Sequence, residues 1–163
     1  MKGKTGLWML VVIIVLGLAM GACSGNFEQN PDGSWAVESQ TDESSIQEAI
    51  DEAIVDPLIK NITVDLREGY IFVTADRERF DGSATDTMTF RLDLGVGEGH
   101  LTASVSDVKV NGEPVDEDRV ELWNERIANR LERMARRFPN STLESLSIGG
   151  DLLTTVWRVE PRK

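Results

Sequence analysis

One cysteine and one histidine stand in 163 residues, and each scarcity excludes a class of chemistry. A lone cysteine rules out an internal disulfide and any CxxC metal or redox site. A lone histidine rules out a zinc site built on several imidazoles. Positive charge is also short: 17 Lys and Arg face 28 Asp and Glu, for a formal charge of −11. Nucleic-acid affinity comes chiefly from Lys and Arg neutralising phosphates, so no nucleic-acid partner is expected. Catalytic signatures are missing as well. No serine lies in a G-x-S-x-G elbow. The acids at Asp76, Glu78 and Asp81, and at Asp116, Glu117 and Asp118, lack the spacing that wraps calcium in oxygen ligands. Gly95-Val96-Gly97-Glu98-Gly99 matches a nucleotide loop only in glycine content; it leads into a strand, and Glu98 would face any phosphate, so a hairpin turn is expected. His100 reads as a surface residue. No catalytic residue, metal or cofactor is expected, and the chain is read as a non-enzyme.

The strongest positive signal lies at the start. Lys2 and Lys4 are followed by an uncharged stretch from Thr5 to Phe27, almost continuously apolar over Leu7–Leu18 and ending in Met20-Gly21-Ala22 before Cys23. A cationic start, a short apolar core and small residues at the end describe a secretory signal peptide. Met20-Gly21-Ala22-Cys23 resembles the bacterial lipobox, with Met20 in place of the usual leucine. The resemblance implies a diacylglyceryl thioether on Cys23, cleavage before it and acylation of the new amino terminus. The competing readings are an uncleaved membrane anchor, for which the stretch from Thr5 to Ala22 is near the lower limit for spanning, and a secreted form without lipid. Several acyl chains on one terminus suffice for stable anchoring, while an acidic body is repelled by anionic headgroups. The lipid on Cys23 is thus expected to make the membrane attachment. The expected location is extracytoplasmic: the outer face of a plasma membrane, or the outer membrane of a two-membrane bacterium, since Ser24 rather than Asp follows the cysteine.

The length supports one globular domain with at most a tail. Three segments are expected: signal peptide over 1–22, acylated Cys23 and flexible tether over 23–42, and a domain over 43–163. The tether is rich in Ser, Gly, Asn, Gln and acids; within it, Trp35-Ala36-Val37 could add a short strand. Ile46, Ala49, Ile50, Ala53 and Ile54 share one face of a helix predicted over Asp42–Val55, capped by Asp42 or Ser44 and stopped by Pro57. The period then becomes two. Ile62, Val64 and Leu66 alternate with polar residues, Tyr70–Ala75 is apolar on both faces, and Met88, Phe90, Leu92 and Leu94 alternate again. Leu101, Ala103 and Val105 follow, with a phase shift at Ser106-Asp107 that predicts a bulge and a turn at Asn111-Gly112. A second helix over Asp116–Arg137 carries the seam Val120, Trp123, Ile127, Leu131, Met134 and Phe138, with Arg126, Arg130, Arg133 and Arg137 opposite. Strands Leu143–Ile148 and Leu152–Val159 close the chain. The order αββββαββ predicts an α+β fold: a single curved antiparallel sheet of about six strands, with the long second helix on its concave face.

Two features keep two readings each. The arginine stripe is either a solvated face with pairs such as Glu132–Arg136 or a basic strip that meets anionic lipid headgroups. The apolar seam is either packed core or the wall of a cavity.

From about Ser45 the chain resembles the LmeA-like phospholipid-binding proteins, relatives of tubular lipid-binding (TULIP) domains. The likeness is carried by ITVDLREGYIFVTAD, FRLDLGVGEGHLTASVSDVKVNGEPV, RVELWNERIANRLERM and LESLSIGGDLLTTVWRV. It implies a strongly curved sheet around a long helix and an elongated apolar groove for acyl chains. The function expected is a membrane-anchored envelope lipoprotein that binds an apolar ligand, a phospholipid or other acyl-chain lipid, without covalent chemistry. The alternative is a structural or interaction lipoprotein with a packed interior that docks an envelope protein. Groove candidates are Tyr70, Phe72, Phe90, Leu92 and Leu94 facing Trp123, Ile127, Leu131 and Met134.

Overall fold

A computed structural model describes residues 24–53 and 57–161; the expected signal peptide and Cys23 lie outside the described residues. Nine strands and two helices follow in the order β1 (Ser24–Gln29), β2 (Trp35–Asp42), α1 (Glu43–Ala53), β3 (Ile59–Arg67), β4 (Tyr70–Glu78), β5 (Thr85–Gly97), β6 (His100–Val110), β7 (Glu113–Pro114), α2 (Glu117–Ala135), β8 (Ser141–Ile148) and β9 (Leu152–Val159). They build two antiparallel sheets, β1-β2-β9-β8 and β3-β4-β5-β6-β7.

The single sheet of about six strands is therefore corrected: the molecule is strand-dominated and holds two separate sheets. The terminal hairpin β8–β9 does not extend the meander. It pairs with β2 along the whole strand, from Trp35 opposite Val159 to Asp42 opposite Leu152. Residues 24–42, expected as a tether, are for the most part strands β1 and β2. β1 forms the edge of this sheet, and the long-range pairing of β2 with β9 supplies the order that local sequence does not.

Local chemistry explains most elements. Asp42 caps α1, its carboxylate accepting from the Ser45 amide at 2.7 Å and the Ser44 hydroxyl at 2.8 Å. Helix α2 starts with Glu117 and Asp118 and has Arg133 in its last turn, as the helix dipole favours. The phase shift in β6 is a bulge: the register slips between Thr89 and Arg91 of β5, and Asp107 takes a φ of 50°. A matching slip in β3 falls where Asn61 has a φ of 48°. Bulges of this kind add twist to the strands that carry them.

The apolar face of the five-stranded sheet carries Val64, Leu66, Ile71, Val73, Ala75, Phe90, Leu92, Val105 and Val108, all buried. Three covers close it: Ile46 of α1, Trp123, Ile127 and Leu131 of α2, and Ile148 and Leu153 of the four-stranded sheet. The sheets are stitched where β8 crosses two hairpin tips. The Gly69 amide donates to the Ile148 carbonyl at 2.9 Å, and the Leu143 amide donates to the Gly99 carbonyl at 2.8 Å. Gly99 has a φ of +76°, and a Cβ there would stand 2.7 Å from Thr142 Cγ2. Only glycine permits both the turn and the close approach of β8.

Candidate functional site

Two adjoining cavities open between the four-stranded sheet, the β5–β6 tip and the end of α2. The first, of about 290 Å³, is lined by Gly25, Phe27, Val37, Ser39, Leu94, Leu101, Leu146, Leu153, Thr155 and Trp157. The second, of about 220 Å³, is lined by His100, Leu101, Leu131, Met134, Ala135, Phe138, Ser141 and Trp157. Leu101 and Trp157 line both, so the two lobes meet at these side chains.

Strand register explains why space remains here. Across the four-stranded sheet, Phe27, Val37, Trp157 and Leu143 form one row of partners. The next row toward the core is Gly25, Ser39, Thr155 and Leu146, and the next holds Thr41, Leu153 and Ile148. Leu153 and Ile148 are sealed into the core. The middle row is small over β1, β2 and β9, too short to reach Leu94 and Leu101 on the other sheet. A first lobe opens above it. The second lobe lies under the last turns of α2, where the helix ends and Phe138 stands 64% exposed at the rim. Phe27, 71% exposed, stands at the far end. The walls are apolar, with a few hydroxyls and one imidazole; Trp157 Nε1 is already engaged, donating to Thr155 Oγ1 at 3.2 Å. Such a lining suits an apolar guest oriented by a few polar groups. Among the described residues, no group of three His, Cys, Asp or Glu could hold a metal ion.

The nine groove candidates separate into three sets. Leu94, Leu131 and Met134 line the cleft. Phe90, Leu92, Trp123 and Ile127 are buried in the core, so that part of the seam is packing rather than groove. Tyr70 and Phe72 are on the opposite face of the five-stranded sheet and never meet the others. There the Arg91 guanidinium lies 4.2 Å from the Tyr70 ring centre and that of Arg67 lies 4.5 Å from that of Phe72. Each arginine also pairs with a carboxylate, Arg67 with Asp65 at 2.7 Å and Arg91 with Asp93 at 2.5 Å. The carboxylate of Asp93 holds the Arg91 guanidinium charged above its usual range. Because β4 is apolar on both faces, its alternation could not say which half was core; Ile71, Val73 and Ala75 took that place.

Sequence reasoning missed Phe27, Val37, His100, Leu101, Leu146, Leu153 and Trp157. The alternation of β6 marked Leu101 as part of an apolar face, but nothing local marked any of these residues as neighbours of β1. The chain matches no protein-family model and no curated protein at a significant level.

Proposed function

We propose that this chain is a lipid-anchored envelope protein that holds an acyl-chain lipid, most simply a phospholipid, in the two-lobed cleft, without covalent chemistry. The observation that supports this reading is the cleft itself: about 290 and 220 Å³ of adjoining space walled by Leu94, Leu101, Leu131, Met134, Leu146 and Trp157. Its combined size falls within the range of small-ligand sites, and the mobile thioether of Met134 adapts to a flexible chain. The resemblance to LmeA-like domains supports the same ligand class, although the single wrapped sheet which it implies is replaced by two. The lipobox at Cys23 supports the anchor and the extracytoplasmic location. The alternative, a packed module that docks an envelope protein, draws on the closed interior beneath α2, where Phe90, Leu92 and Ile127 are almost wholly buried.

Native mass spectrometry of the full-length protein, released gently from membranes, tests the reading. Co-purified lipid that disappears in Leu101→Trp, which fills the junction of the lobes, is the expected result. A clean apo mass with no uptake from added phospholipid would sink it. The anchor is checked separately: Cys23→Ser should abolish metabolic labelling with palmitate, and unchanged labelling refutes the lipobox.

A further inference from the structure

The geometry points to an anionic amphiphile as the occupant of the cleft, its phosphate or carboxylate held by Arg130, Arg133 and Arg137 at the end of α2. This inference rests on the apolar-ligand reading and adds the charge of the ligand's head. Met134 and Phe138 line the second lobe. On an α-helix, side chains three and four apart are neighbours. Arg130, one turn before Met134, therefore flanks it on the helix; Arg137 follows in the turn after Ala135, its amide donating to the Met134 carbonyl at 2.9 Å, and Arg133 lies between the two in the chain. All three are exposed.

The strip differs in its partners from five other arginines among the described residues. Arg67, Arg79, Arg91, Arg136 and Arg158 are each tied to a carboxylate. No ion pair among the described residues engages Arg130, Arg133 or Arg137. Acids sit on the other flank of the helix, where Glu132 takes Arg136 at 2.6 Å. In a chain with a formal charge of −11, acids are abundant, so three neighbouring guanidiniums without one leave a local positive field. That field lies beside the open end of an apolar cavity. Planar guanidiniums suit phosphate and carboxylate oxygens. An acyl chain in the lobe beneath Phe138 would bring its head to this strip.

The test uses the full-length chain in a non-ionic detergent held at one concentration. Lysophosphatidylglycerol and lysophosphatidylcholine carrying the same brominated stearoyl chain are titrated in, and quenching of tryptophan fluorescence is read. Trp157→Phe assigns the quenching to the cleft. The anionic lipid is expected to bind roughly tenfold more tightly, a modest gain for three partly solvated contacts. Arg130→Gln/Arg133→Gln/Arg137→Gln should remove that preference and leave the zwitterionic affinity in place. Lys60→Gln/Lys109→Gln/Arg119→Gln, an equal change of net charge elsewhere, should leave the preference intact. Equal affinity for both lipids in the wild type, or equal loss in both triple variants, overturns the headgroup inference while the apolar-ligand reading stands. Absence of quenching by either lipid overturns that reading and this inference with it. Binding of anionic vesicles that needs the three arginines without any Trp157 quenching makes the strip a membrane contact and also overturns the inference.

Discussion

At the residue scale, Asp86 shows how one side chain can tie the base of the five-stranded sheet. Arg79 donates to its carboxylate through Nε at 3.0 Å and Nη2 at 2.8 Å, and Asn111 Nδ2 donates at 2.8 Å. Asn111 also accepts from the Thr87 amide at 2.9 Å, so one turn residue and one loop arginine hold the start of β5. The Arg79 bonds first, and Asn111 next, bring the Asp86 carboxyl down to about 2. The folded value lies below the ordinary carboxylate value of about 3.9. Its contribution to stability is thus complete above that ordinary value and is lost as pH falls toward 2. Asp86→Asn should lower stability at neutral pH and flatten the acid limb between about pH 4 and pH 2. Urea melts across that window check it, and an unchanged limb would remove Asp86 from the acid response.

At the element scale, the two helices do more than cover the core. Each closes an open edge of the five-stranded sheet with side chains that imitate a strand. Asn124 of α2 accepts from the Val105 amide at 2.7 Å and donates to the Val105 carbonyl at 3.0 Å. On the opposite edge, Gln47 of α1 accepts from the Val64 amide at 2.9 Å and donates to the Ile62 carbonyl at 2.8 Å. Glu43 accepts from the Leu66 amide at 2.8 Å. Unpaired edges invite pairing with other chains. Asn124→Leu keeps the side-chain bulk but leaves both Val105 groups without their partners. A loss of about 1–3 kcal/mol, with self-association at high concentration, is expected in urea melts and sedimentation. An unchanged midpoint would mean that water replaces the amide at no cost.

At the scale of the whole molecule, the two sheets and two helices of the described residues enclose one core and leave a cleft at one end. The division runs through α2. Ile127 is 1% exposed and packs with the sheet residues, whereas Met134, two turns on, lines the cleft. The seam is therefore core over its first part and cavity wall over its last. Ile127→Ala should cost the roughly 2–5 kcal/mol of a full core truncation. Met134→Ala should cost far less in the empty protein and reduce lipid retention. Thermal melts with and without added phospholipid separate the two, and equal losses would make the end of α2 core as well.

The sequence by itself determined the units: the long amphipathic α2, the start of α1 at Asp42, the alternating strands from β3 to β6, the bulge at Asp107 and the closing β8–β9 hairpin. These are local properties, written in periods of 3.6 and 2 and in turn residues. Tertiary structure alone decided how the hairpins combined into sheets. Alternation states that a strand has an apolar face but names no partner, so β8–β9 left the meander for β2, and the polar stretch before residue 42 became sheet. The same limit hid the cleft. It exists because Gly25, Ser39 and Thr155 fall in register across three strands and face Leu94 and Leu101 of the other sheet, a juxtaposition of residues far apart in the chain. Tyr70 and Phe72 went outward for a related reason: β4 offered two apolar faces, and the side that met α1, α2 and the second sheet became the core.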